Sequence, residues 1–177
     1  MSDKFYSQLT RFWSNESKLK FKEAIKELRY QTIVVYPNAD AGGRAMIKII
    51  ERYRKYPFIQ IHENIHHRDY LSLMSIANVL VGNSSSGIIE APSFHLPVVN
   101  IGTRQHGRER AENIIDTDYA KNKIIAAIGK AMYDRRFRNV VNKCKNPYGD
   151  GRAGERIAGI LSKIKITESL LQKRMTY

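Results

Sequence analysis

Five short runs of apolar, mostly β-branched residues constrain the fold of this chain more than any other feature. They are residues 32–36 (TIVVY), 58–62 (FIQIH), 78–82 (NVLVG), 97–101 (PVVNI) and 113–116 (NIID). Each is too short for an ordinary helix and reads as apolar along its length. Each therefore reads as a parallel strand buried on both faces. Amphipathic segments fill the intervals, as β-α-β units require. Residues 16–30 carry Leu19, Ala24, Ile25 and Leu28 on one side, and residues 40–55 carry Ala45, Ile49 and Tyr53 along a stripe, with Asp40 as N-cap. Residues 68–77, 118–133 and 153–164 repeat the helical pattern, and the tail 165–177 reads as a further, weakly packed helix. The pattern predicts an α/β fold: an open, mainly parallel, Rossmann-like sheet with helices on both faces. Ligands of such sheets bind outside the carboxyl ends of the strands.

At 177 residues the chain suits one domain with a real core. The expected organisation is a nucleotide-binding domain over residues 1–165 and a helical tail over 166–177. No apolar run reaches the roughly 18 residues that span a bilayer, and the first residues lack a signal peptide's apolar core. The single cysteine, Cys144, excludes an internal disulfide framework and fits a cytoplasmic protein. The net charge of +13 raises the question of nucleic acid. The cations are scattered over helix faces, however, with no zinc-finger spacing, basic zipper or RNP-type motif beside them. Charge alone argues weakly for a nucleic-acid module, and an anionic nucleotide ligand explains part of the excess equally well.

The most informative stretch is VLVGNSSSGIIE, residues 79–90. A buried strand ends at Gly82, three serines follow, and a helix is expected to begin near Ser86. The first turn of a helix presents unpaired N–H groups and a partial positive charge, which suit an anion. The small residues Ser84, Ser85, Ser86 and Gly87 admit a diphosphate close to the backbone. Glu90, about one turn on, can accept hydrogen bonds from ribose hydroxyls. The alternative is that the serines only cap the helix and Glu90 only complements its dipole; the residues leave both open. Pro92 should shorten or kink this helix.

Residues 81–97 (VGNSSSGIIEAPSFHLP) and 100–110 (NIGTRQHGRER) together resemble the hydrolysing UDP-N-acetylglucosamine 2-epimerases of sialic-acid biosynthesis. So do the turns Tyr36-Pro37-Asn38-Ala39-Asp40-Ala41-Gly42-Gly43 and Asn146-Pro147-Tyr148-Gly149-Asp150-Gly151, in the family's order. The resemblance implies the C-terminal half of a GT-B-type architecture with two Rossmann-like domains. It implies UDP or a UDP-N-acetylhexosamine as ligand, with Ser84, Ser85 and Arg104 on the diphosphate and Glu90 on the ribose. The uracil would rest on the loop around Ile65, and Asn38 would face the cleft between domains. No metal and no cofactor are implied. The histidines His62, His66, His67 and His106 match no zinc spacing, His95 reads as structural and Cys144 as inert.

The family reaction removes UDP by elimination across C1 and C2 of the sugar and then adds water to the glycal, releasing N-acetylmannosamine. The carboxylates for that acid/base chemistry belong, by the resemblance, to an N-terminal domain that this chain lacks. The chain alone is therefore expected to be inactive. A separate N-terminal polypeptide is one expected partner, with Leu170, Leu171 and Met175 of the tail as a docking surface, and a homo-oligomer stays open. The rival readings are a UDP-N,N′-diacetylbacillosamine 2-epimerase, a GT-B glycosyltransferase fragment and a basic nucleic-acid-binding module.

Overall fold

The computed structural model describes residues 4–8, 15–36 and 43–172. Its sheet has six strands in the order β3-β2-β1-β4-β5-β6, and every neighbouring pair is parallel. Five strands coincide with the apolar runs: β2 (Gln31–Val35), β3 (Ile59–His62), β4 (Val79–Gly82), β5 (Val98–Ile101) and β6 (Ile114–Thr117). The sixth, β1 (Lys4–Gln8), is a correction to the five expected. Its sequence KFYSQ has no apolar run, yet it pairs with both β2 and β4 at the centre of the sheet.

Helices cover both faces. On one face α1 (Asn15–Leu28), α2 (Gly43–Glu51) and α5 (Lys121–Tyr133) enclose a core that includes Phe21, Ala24, Ile50, Val79, Val81, Ile101, Ile124 and Ile128. On the other, α3 (His67–Ile76) and the segment after β4 pack Tyr70, Met74, Ala91 and Leu96 against Val35, Leu80 and Val98. Alternation along β2 and β4 thus feeds two cores, as burial on both faces requires.

Some expected details differ. Leu19 lies on the exposed side of α1, because Phe21, Ala24 and Ile25 define its buried stripe. The helix expected from residue 118 starts at Lys121. The Asp118 carboxylate accepts the Ala120 N–H at 2.8 Å and holds a turn ahead of the first helical residue. A further helix, α6 (Arg135–Val141), follows at once, its start capped by Asp134 Oδ1 accepting the Phe137 N–H at 2.9 Å. Asp40, the expected cap of α2, lies outside the described residues.

The chain divides into two compact units, residues 1–147 and 148–177. The second holds α7 (Ala153–Leu161) and the four-residue α8 (Glu168–Leu171). Within it Asp150 takes a bidentate pair from Arg156 at 2.7–2.8 Å and the Arg152 N–H at 3.1 Å. The Arg156 guanidinium and that backbone donor hold the Asp150 carboxyl at about 2. Ile157, Ile160 and Leu161 of α7 and Leu170 and Leu171 are exposed, and Met175 lies outside the described residues. Of the helical tail only α8 forms within the described residues. Among the described residues no helix is long and apolar enough to cross a membrane.

Candidate functional site

The strand order reverses between β1 and β4, which is where doubly wound sheets open a crevice for ligand. Register carries His62, Val35, Gln8, Gly82, Asn100 and Asp116 in one row across the carboxyl ends. The serine loop leaves this row at the reversal point. Gly82 (φ 150°) turns the chain out of β4, a backbone conformation that side chains disfavour. Asn83, 1% exposed, follows, and then the serines.

The main-chain carbonyl of Asn83 anchors the loop. It accepts Arg104 Nη1 at 2.9 Å and Gln105 Nε2 at 2.7 Å, two donors from neighbouring residues of the loop after β5. Because a carbonyl and the following N–H lie antiparallel in one planar peptide, this fixes where the Ser84 N–H points. Ser84 Oγ accepts the Ser86 N–H at 3.3 Å, while Ser85 makes no side-chain capping bond. Ser84 thus makes a local turn bond to the first helical residue, and Ser85, the N-cap, makes none. Both serines are half-buried, and the Arg104 side chain keeps the rest of its fork of donors at the exposed surface.

The helix begins at Ser86, as expected, and is short: α4 is Ser86–Ile89, followed by a 3-10 turn, Ala91–Phe94. Pro92 accounts for the change, since it has no N–H to continue the α-helical ladder. Glu90 sits at the junction, half-buried, closing α4 through its N–H to Ser86 O at 3.0 Å. It caps the helix rather than lying within it. Gly87 lets α4 lie directly on β5, because a Cβ there would meet Val98 Cγ1 at 2.8 Å.

The loop that delivers Arg104 and Gln105 is itself pinned. Gly102 (φ 80°) has Tyr119 Oη where a Cβ would stand, 2.1 Å away. At the far end Arg110 forms a bidentate pair with Asp116, Nη1 and Nη2 each at 2.8 Å, and Asn100 Nδ2 donates to Asp116 at 2.8 Å. Burial pushes the Asp116 carboxyl upward, but the Arg110 and Asn100 hydrogen bonds outweigh it and leave it below its ordinary value.

Ile65 is half-buried in the loop between β3 and α3 and lines a hollow of about 540 Å³ with Ile33, Gln60, His62 and Leu73. Three strand spacings, about 14 Å, separate the ends of β3 and β4. His66 caps α3, its Nδ1 accepting the Arg68 N–H at 3.4 Å. Among the described residues no three metal-ligating side chains converge. Asn38 lies outside the described residues. The structure thus brings Ser84, Ser85, Arg104 and Glu90 around one turn and sets Ile65 apart at the next loop of the same sheet end. Sequence reasoning passed over Gln105 and Asn83; the buried amide next to a predicted phosphate ligand was the available signal.

The chain matches the family model described as UDP-N-acetylglucosamine 2-epimerase over residues 10–162. Among curated relatives, a UDP-N,N′-diacetylbacillosamine 2-epimerase (hydrolyzing) of Legionella pneumophila is 35% identical over 163 residues, 90% of this chain and 42% of the relative. A UDP-N-acetylglucosamine 2-epimerase of Neisseria meningitidis is 39% identical over 106 residues, 59% of this chain and 28% of the relative. Solved structures share the fold, among them two with bound ligand in their names. The Neisseria meningitidis UDP-GlcNAc 2-epimerase bound to UDP-GlcNAc matches with a TM-score of 0.69 at 19% identity, covering 92% of this chain and 45% of that one. The S. aureus MnaA–UDP structure matches with a TM-score of 0.68 at 22% identity, covering 91% and 45%. The chain spans less than half the length of the relatives it matches.

Proposed function

This chain belongs to the UDP-N-acetylglucosamine 2-epimerase family, and from that premise we propose that it supplies the uridine-diphosphate half of a hydrolysing nucleotide-sugar 2-epimerase site. The observation that carries the reading is the joint hold of Arg104 and Gln105 on the Asn83 carbonyl. It fastens a guanidinium, whose planar fork suits phosphate oxygens, beside a turn of small hydroxyl residues at the reversal point of the sheet. Ser84, Ser85 and Arg104 hold the diphosphate and Glu90 the ribose. The base lies toward Ile65, at a distance that an extended nucleotide spans.

Holding the diphosphate is chemically relevant because UDP is the leaving group of the elimination. Cations and hydroxyl donors on its oxygens stabilise the negative charge that develops as the C1–O bond breaks. Removal of the C2 proton and hydration of the glycal need carboxylates poised as acid and base. The family resemblance puts these in a domain other than the one this chain folds into. The 177 residues by themselves therefore bind UDP weakly, with one wall of the cleft, and turn over no sugar nucleotide. Incubating the purified chain with UDP-N-acetylglucosamine and assaying released UDP tests this; sustained release at a rate typical of enzymes contradicts it.

A second substrate is favoured by one observation: a relative matched over 90% of this chain is named for UDP-N,N′-diacetylbacillosamine. Both sugars carry the same UDP, so this half binds either. Supplying an N-terminal half and comparing the two sugar nucleotides separates them by the free sugar formed.

A further inference from the structure

The turn Asn146-Pro147-Tyr148-Gly149-Asp150-Gly151 has no part in the site as described so far, yet its first residue reaches the backbone beside Glu90. Asn146 Nδ2 donates to Ile89 O at 2.8 Å and to Ser93 Oγ at 2.7 Å. The first bond fills a gap that Pro92 creates. In a 3-10 turn the donor for the Ile89 carbonyl would be the N–H of residue 92, and proline has none. The Ser93 N–H, the next along, is given to Glu90 O at 3.0 Å. The Ile89 carbonyl is therefore without a local donor, and the Asn146 amide from 57 residues away supplies one.

Glu90 is consequently held from both sides of its backbone. The peptide before it has its N–H on Ser86 O and its carbonyl on Asn146, and its own carbonyl accepts Ser93 N–H. The same stretch of chain grips the turn at two more points. Cys144 Sγ approaches Pro92 O at 3.9 Å, and His95 Nδ1 lies 3.1 Å from Val141 O. His95 itself ends the turn in the left-handed region, at φ 48°.

We infer that Asn146 is a positioning residue for the ribose-binding carboxylate, an inference that rests on the ribose role proposed above for Glu90. Asn146 replaces the hydrogen bond that Pro92 removes, and so fixes the Cα–Cβ direction from which Glu90 reaches the sugar hydroxyls of the nucleotide. Its effect is specific to the ribose, because the serine loop and Arg104 are anchored separately on Asn83.

The test is the ratio of affinities for UDP and 2′-deoxy-UDP, measured by calorimetry or ligand-detected NMR on the full 177-residue chain. Wild type, Glu90→Gln and Asn146→Ala are compared, with Asn146→Asp as a second variant of native shape should the alanine protein fail to fold. Losing a hydrogen bond to a charged acceptor predicts a wild-type preference for UDP of about tenfold. Glu90→Gln should abolish most of it, and either Asn146 variant should bring it to about threefold or less, with 2′-deoxy-UDP affinity little changed. Equal weakening of both nucleotides by the Asn146 variants, or no change at all, overturns the inference while leaving the ribose role of Glu90 intact if Glu90→Gln still collapses the ratio. An unchanged ratio in Glu90→Gln, or no binding of either nucleotide, overturns that role and the inference with it.

Discussion

A single main-chain oxygen, that of Asn83, holds together the two loops from which the proposed diphosphate site is built. Arg104 and Gln105 both spend a donor on it, but they differ in what remains. Arg104 is exposed and retains further N–H groups for an anion, whereas Gln105 is 2% exposed and its Oε1 finds no hydrogen-bond partner among the described residues. Gln105 is thus an internal brace. Replacing it with leucine keeps the volume and removes the brace, so UDP affinity should fall several-fold by titration calorimetry, with Arg104 present but no longer registered on the turn. Arg104→Lys should recover little of the loss seen in Arg104→Ala, because a lysine cannot contact the Asn83 carbonyl and a phosphate in one plane. Gly102→Ala combines a left-handed backbone with a Cβ 2.1 Å from Tyr119 Oη. It should destabilise the chain by about 2 kcal/mol or more, read from denaturant midpoints.

At the scale of elements, α4 is the piece whose placement matters. It is four residues long and lies on β5 because Gly87 has no side chain. Gly87→Ala should cost about 1–3 kcal/mol through overpacking. Val98→Ala in the same molecule should return part of it, giving a coupling energy in a double-mutant cycle that distant pairs lack. The loop after β5 depends instead on charge. The Asp116 carboxyl is depressed below its ordinary value of 3.8 by Arg110 and Asn100 against the effect of burial. Its folded form therefore binds the proton less readily than the unfolded chain. The stabilisation is present above the ordinary carboxylate range and fades as pH falls through the depressed value. Melting temperatures of wild type and Asp116→Asn should converge on acidification and separate at neutral pH; a difference independent of pH contradicts the assignment.

Much of this architecture is legible in residues alone. The strands β2 to β6 advertise themselves as short, mostly apolar runs; β4 and β5 are buried at every position, as expected, whereas β3 and β6, at the two edges of the sheet, keep exposed polar positions. The break in α4 is legible in Pro92, and the reversal-point turn in three small hydroxyl residues after a strand. What was illegible is equally physical. The segment KFYSQ carries no apolar run, and β1 becomes a central strand only through partners at residues 31–35 and 79–82. The anchor of the loop is a backbone carbonyl, which no side-chain pattern can signal. The contact between Asn146 and Ile89 joins residues whose proximity exists only once α6 has returned the chain to the turn.

Taken whole, the chain carries a six-stranded parallel sheet that matches half of a GT-B-type fold, and the proposed ligand edge lies where its strand order reverses. Its net charge of +13 suits an anionic ligand, and competition between UDP and oligonucleotides would show whether any nucleic-acid binding shares the site. On the proposed function, these 177 residues should bind UDP without turnover, and turnover should appear only when acid/base carboxylates are supplied across the cleft. The serine turn is tested by a UDP titration of the chain beside its Ser84→Ala, Glu90→Ala and Arg104→Ala variants. Binding should weaken in all three, with the largest loss, about tenfold or more, for Arg104→Ala. Unaltered affinity in all three would contradict the proposed site and leave only the family and the fold.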